Sequence, residues 1–124
     1  MSTESDREVR LDIQRSARTG FSEIIYCPGK SDEQISNIAH SLKDTKENIL
    51  FSRVSEHQHG IIASTLPDAV FHAKARMTGI RRQEHKHYEG LIVITAGSSD
   101  VPVAEEAAVA AEYMGCDVKR LYDV

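Results

Sequence analysis

Apolar residues along this chain alternate between short continuous runs and helical faces. "EIIYC" (Glu23–Cys27) and "NILFSRV" (Asn48–Val54) are compact runs bounded by turn formers, a pattern that predicts buried strands. Between them Ile35, Ile38, Ala39 and Leu42 recur at helical spacing. They predict a helix capped by Ser31, with Gln34 at the capping-box position. A second helix is expected to open at Ser55 and run to about Leu66, weakened by Gly60. Upstream, Val9, Ile13 and Ala17 share one face of a helix expected from Arg7 to Thr19 and closed by Gly20. "AVFHA" (Ala69–Ala73) and "ARMTGI" (Ala75–Ile80) read as short strands. "RRQEHKHYE" (Arg81–Glu89) is charged and without apolar period, and reads as a linker. A strand, an alanine-rich helix and a last strand, "DVKRLYDV" (Asp117–Val124), complete the chain.

The order is βαβαβ, a break, then βαβ, which predicts an α/β fold with largely parallel sheet. The expected organisation is a disordered N-terminus (residues 1–9), a small N-terminal α/β domain (10–88) and a second unit (89–124). One βαβ unit cannot cover both faces of a parallel pair. Residues 90–124 are therefore expected to open a larger sheet whose remaining strands are absent.

The chemistry concentrates in "LIVITAGSSDVPVAEEAAVAAEYMG" (Leu91–Gly115). A strand is expected to end at Thr95 and a helix to begin near Val101. Gly97 would let the backbone turn and let a ligand approach closely. Ser98, Ser99 and Asp100 are good cap residues, and Pro102 suits a first helical turn. A helix N-terminus at the carboxyl end of a parallel strand is where α/β sheets bind ligands. Serine hydroxyls and amides could hold a phosphate or a ribose, with Asp100 accepting from a hydroxyl or a ring nitrogen. The competing reading is an ordinary capped helix, with Glu105 and Glu106 merely favouring its dipole.

Composition narrows the field. The chain has 124 residues and a net charge of −4, and it shows neither a dense basic cluster for nucleic acid nor an apolar run long enough for a membrane span. Two cysteines, Cys27 and Cys116, without a CxxC pair or a signal region, suit reduced thiols in the cytoplasm. "GKS" (Gly29–Ser31) is the tail of a P-loop, but Ile24 stands where that motif needs glycine, so a turn plus cap is favoured. "EHQH" (Glu56–His59) and "EHKH" (Glu84–His87) hint at metal. His57 and His59, two apart, splay on a helix, and solvated polar surface is the better reading. Arg53 ends a strand and Arg76 lies inside one. Either could reach a phosphate or pair with a carboxylate, with structure slightly favoured.

"VITAGSSDVPVAEEAAVAAEYMGCDVKRLYDV" resembles the start of the carboxylase-like domain of LarB proteins, the nickel-pincer-cofactor biosynthesis family that includes circadian phase modifier proteins. That domain is similar to PurE-type aminoimidazole ribonucleotide carboxylases and mutases. "LDIQRSARTGFSEIIYCPGK" (Leu11–Lys30), "SRV" (Ser52–Val54) and Arg76 match the family's N-terminal pattern, so the resemblance runs from about Leu11 to Val124. It implies a PurE-like parallel sheet and action on nicotinic acid adenine dinucleotide or a related phosphoribosyl nucleotide. The ring would be carboxylated with CO2 or bicarbonate as co-substrate. Hydrolysis of the phosphoanhydride would then release AMP and pyridinium-3,5-biscarboxylic acid mononucleotide.

The resemblance further implies an octamer of carboxylase-like domains and no covalently bound cofactor, and it specifies no metal. Gly97, Ser98, Ser99 and Asp100 would belong to the substrate site, with Ser98 in place of the family's usual threonine. Ser22 replaces a usual proline. Family members continue past "YDV" into a glycine-rich segment and a late nucleophilic cysteine, which neither Cys27 nor Cys116 matches. The implied identity is the N-terminal portion of such an enzyme, from a longer protein or a broken gene, and inactive on its own. Two alternatives stand beside it: a non-catalytic nucleotide-binding or regulatory module, and an aminoimidazole ribonucleotide carboxylase or mutase relative. The N-terminal half counts against the last.

Overall fold

A computed structural model describes residues 23–84, 88–95 and 97–122. The helix expected at Arg7–Thr19 and the disordered N-terminus lie outside the described residues. The fold is α/β, in chain order β1 (Glu23–Tyr26), α1 (Asp32–Ser41), β2 (Ile49–Ser52), α2 (Glu56–Thr65), β3 (Val70–His72), β4 (Met77–Ile80), β5 (Tyr88–Ile94), a 3-10 turn (Ser98–Asp100), α3 (Val101–Tyr113) and β6 (Cys116–Leu121).

Local chemistry explains the two N-terminal helices. The Ser31 hydroxyl accepts from the Gln34 amide at 3.1 Å while the Gln34 side chain accepts from the Ser31 amide at 2.8 Å. Ser55 and Gln58 repeat the same capping box at the head of α2, each bond 3.1 Å. Gly60 sits inside α2 without interrupting it.

The first sheet departs from the largely parallel expectation. Its order is β1-β2-β4-β3, with β1 parallel to β2 but β4 antiparallel to both β2 and β3. The Ala73–Arg76 turn between β3 and β4 is too short for a crossover helix, so that pair can only form a hairpin. β1 is also less buried than its composition implies. It is an edge strand, so Ile24 and Tyr26 face out while Ile25 and Cys27 pack inward.

Both faces of the central strands are covered. On one side α1 and α2 bring Ile35, Ile38, Leu42, Ile62 and Leu66 against Ile49, Phe51 and Ile80. On the other, Val109 and Tyr113 of α3 pack on Leu50 and Met77. Because α3 also covers one face of the parallel β5–β6 pair, it lies between the two sheets. Among the described residues nothing covers the opposite face of that pair, where Ile92, Ile94 and Leu121 are exposed.

Residues 81–83 are not a free linker. The Arg82 guanidinium donates to the carbonyls of Leu42, Lys43 and Thr45 at 2.6–3.0 Å and fastens the exit of α1. The buried Asn48 side chain accepts from the Arg82 and Gln83 amides and donates to the Tyr113 carbonyl. A charged run without apolar period thus serves as polar mortar, satisfying backbone groups that burial would otherwise strand.

Candidate functional site

The Gly97–Asp100 turn lies at the carboxyl end of β5 and the head of α3, as the strand-to-helix pattern predicts. The Asp100 amide closes it by donating to the Gly97 carbonyl at 3.2 Å. Ser98 is part of the turn; Ser99 and Asp100 are exposed.

A Cβ at Gly97 would meet no atom within 4 Å, so glycine leaves open space beside the turn. One expectation about this turn needs correction. Asp100 makes no side-chain cap bond. It adopts helical backbone angles (φ −90°, ψ −5°), whereas a capping carboxylate needs the extended conformation that Ser31 and Ser55 adopt. The Asp100 carboxylate is therefore not used by its own helix.

Glu105 and Glu106 do more than favour the helix dipole. Arg53 Nε donates to Glu106 Oε2 at 2.9 Å and Nη2 to Oε1 at 3.3 Å. Arg120 donates from Nε to Glu105 at 2.9 Å and bidentately to Glu112 at 2.8 and 2.9 Å. These donated bonds, against the cost of burial, hold the Glu112 carboxyl below its usual range.

Arg53 and Arg76 flank the end of the β2–β4 pair and are joined by the Val54 amide, which donates to the Arg76 carbonyl at 2.7 Å. Both have left-handed backbones, φ 54° and 55°, which disfavour a residue with a Cβ. Arg76 is exposed and precedes β4 rather than lying inside it, because the Ala73–Arg76 turn runs through its backbone. The Arg53–Glu106 pair ties the turn-proximal half of α3 to the first sheet. Its far end is held by Tyr113, whose hydroxyl meets His72 Nε2 at 2.9 Å and whose ring lies under the Arg81 guanidinium at 4.0 Å. Burial pushes the Tyr113 hydroxyl up and His72 down from their ordinary values.

Contacts running from Glu106–Arg53 to Tyr113–Asn48 set α3 antiparallel to β2. The carboxyl ends of β1, β2 and β5 consequently share one rim with the Gly97–Asp100 turn. The "GKS" segment stands on that rim as a turn and cap: Gly29 takes φ 81°, and Lys30 Nζ donates to the Tyr26 carbonyl at 2.7 Å.

The two histidines of "EHQH" diverge as their spacing requires. His57 meets Asp32 at the surface at 2.8 Å, while His59 stacks on Phe71 and meets Thr78 Oγ1 at 2.9 Å. In "EHKH" only Glu84 falls within the described residues. An open groove of about 720 Å³ runs between Arg81–Glu84 and Tyr113–Val118, at the end of α3 remote from the turn. The buried amide in its wall, Asn48, is turned to the protein, its Oδ1 accepting two backbone N–H bonds and its Nδ2 donating to the Tyr113 carbonyl.

Neither cysteine is set up as a nucleophile for the turn. Cys27 is fully buried, and burial pushes its thiol up from 9.0 to about 11. Cys116 opens β6 beyond the far end of α3, a helix about 20 Å long by its rise per residue. A thiol reagent at pH 8 is expected to label Cys116 and spare Cys27 until the protein unfolds. Below pH 9 the Cys27 thiol is neutral in both folded and unfolded chains. Between pH 9 and about 11 the unfolded chain loses the proton first, so folding should weaken by roughly 2–3 kcal/mol across that window. Urea melts of the protein and of Cys27→Ala at each pH check this, since the substitution should remove that part of the slope.

The signals for the missed residues are uneven. Glycine inside the "MTGI" strand marks a close approach, here by Tyr113. Nothing in the sequence singles out Glu106 as the partner of Arg53.

Comparison with known proteins adds two findings. The sequence pattern of the LarB/PurE-like N-terminal domain matches residues 3–83. An uncharacterized protein of Methanocaldococcus jannaschii is 30% identical over 128 aligned positions, covering 98% of this chain and 50% of that protein. The chain thus spans about half the length of this relative. Among the described residues, no helix is long and apolar enough to cross a membrane.

Proposed function

Because the chain belongs to the LarB/PurE-like N-terminal domain family, we propose that it serves a nicotinic acid adenine dinucleotide carboxylase and hydrolase of the nickel-pincer-cofactor type. In this reading residues 10–88 form the N-terminal domain and residues 89–124 begin the carboxylase-like unit. The observation that carries it is the Gly97–Asp100 turn. It stands at the carboxyl end of a parallel strand with open space beside Gly97, and its carboxylate is not used to cap its own helix.

The turn's roles follow from its chemistry. Backbone N–H groups and hydroxyls at the head of α3 suit a phosphate or ribose. Asp100 would accept a hydrogen bond from a ribose hydroxyl and orient the dinucleotide. Carboxylation of the pyridinium ring needs a thiolate that adds to the ring and makes it nucleophilic, and neither Cys27 nor Cys116 is placed to supply it. The co-substrate is CO2 or bicarbonate. The family's octamer is the proposed assembly, and the cytoplasm the proposed compartment.

Incubation with nicotinic acid adenine dinucleotide and bicarbonate tests the reading. The full-length protein is expected to release AMP and a carboxylated mononucleotide, and the isolated 124-residue chain to release neither. Robust turnover by the isolated chain would overturn the assignment of the thiolate elsewhere. No turnover by the full-length protein, with the dinucleotide still bound, would favour the non-catalytic nucleotide-binding module. Turnover of carboxylated aminoimidazole ribonucleotide instead would favour the mutase relative.

A further inference from the structure

We propose that Arg53 is a positioning residue for the Gly97–Asp100 turn, and that through it the N-terminal sheet forms part of the substrate-binding apparatus. The inference rests on the reading of that turn as the substrate site.

This contact joins the turn-proximal half of α3 to the first sheet. Glu106 lies six residues beyond Asp100, about 9 Å along the helix axis. Tyr113 and its partners His72, Asn48 and Arg81 hold only the opposite end of α3. Nearer the turn, Val109 packs on Leu50 and Met77 and Arg120 ties Glu105 to β6, while the polar tie from that half of α3 to the first sheet is the two-bond fork from Arg53 to Glu106. Rotation of α3 about its Tyr113 end displaces the turn most, because displacement grows with distance from the pivot. A fork resists rotation as well as separation, because two parallel bonds set the angle between the groups.

Arg53 itself is held firmly. Its backbone sits at φ 54° between anchored neighbours: the Ser52 carbonyl accepts from the Cys27 amide at 3.1 Å, and the Val54 amide donates to Arg76 at 2.7 Å. A disfavoured backbone angle persists where the surroundings over-determine it, and such angles cluster at functional sites. Within the turn, Asp100 adds no cap bond of its own. The turn's place therefore depends on where α3 is set. Arg53 touches no reacting atom in this scheme; it acts through Glu106.

The test uses the full-length protein and four variants: Arg53→Ala, Arg53→Gly, Arg53→Lys and the exchange Arg53→Glu/Glu106→Arg. Arg53→Gly removes the left-handed strain and guards against a variant that fails to fold. Two readouts are taken: amide hydrogen exchange across residues 97–103 without ligand, and kcat and KM for AMP release. Loss of the fork should speed exchange in the turn and raise KM, each about tenfold, with kcat changed much less. Lysine should restore little, because one ammonium cannot make the fork. The exchanged pair should recover both readouts.

Unchanged exchange and KM in folded Arg53→Ala or Arg53→Gly would overturn the proposal. So would a folded exchanged pair no better than the single variants. If the wild-type protein releases no AMP, the proposed function fails while the exchange measurement still decides whether Arg53 positions the turn.

Discussion

Gly79→Ala is expected to destabilise the protein by roughly 2–4 kcal/mol, among the largest effects of any single-methyl addition in this fold. A Cβ at Gly79 would run into the Tyr113 ring at Cζ, Oη and Cε2. Those atoms are not the loose end of a mobile chain. The ring is buried, its hydroxyl meets His72 and the Arg81 guanidinium lies over its face. Gly79 sits in the middle of β4, paired with Leu50 on one side and Val70 on the other, so the strand cannot yield either. The ring must leave, and with it much of the burial that docks α3 on the first sheet.

Urea denaturation measures the loss. Combining Gly79→Ala with Tyr113→Leu should cost clearly less than the sum of the single changes, because the shorter side chain frees the space that the methyl takes. Additive losses, or a Gly79→Ala variant within about 0.5 kcal/mol of the parent, would show that α3 does not rest against this strand.

Asp100→Asn in the full-length protein should behave oppositely, leaving the fold intact while impairing function. The side chain is exposed and caps nothing, so the stability change should stay within about 0.5 kcal/mol. Loss of a charged hydrogen bond to a polar ligand group should cost roughly 1.5–3 kcal/mol, about ten- to a hundredfold in kcat/KM. Melting and steady-state kinetics on the same variant separate the two. A sharp drop in melting with activity retained would make Asp100 structural and remove it from the proposed site. Gly97→Ala is a useful companion, since the fold has room for the methyl but a ligand using that space would meet it.

These two substitutions mark where the sequence is readable and where it is not. The identity and position of most described elements follow from the chain alone, because their causes are local. Ser31 with Gln34 and Ser55 with Gln58 start their helices through bonds spanning three residues. Ile35, Ile38, Ala39 and Leu42 bury one face through helical periodicity. The Gly-Ser-Ser-Asp junction sits at a strand-to-helix switch for the same reason: its apolar run, turn residues and Pro102 are contiguous. The resemblance to the LarB family was likewise visible in contiguous motifs. Distant pairings had no such signal. Which strand lies beside β2, and in which direction, depends on the short β3–β4 hairpin placing β4 there antiparallel. That Arg82 fastens the exit of α1, that Tyr113 occupies the space left by Gly79, and that Arg53 grips a glutamate 53 positions away are all products of that arrangement. Periodicity and capping act within a few residues, so the sequence alone could determine them. Sheet order, ring packing and ion pairs need two distant segments brought to contact distance, and only the tertiary structure decides which segments those are.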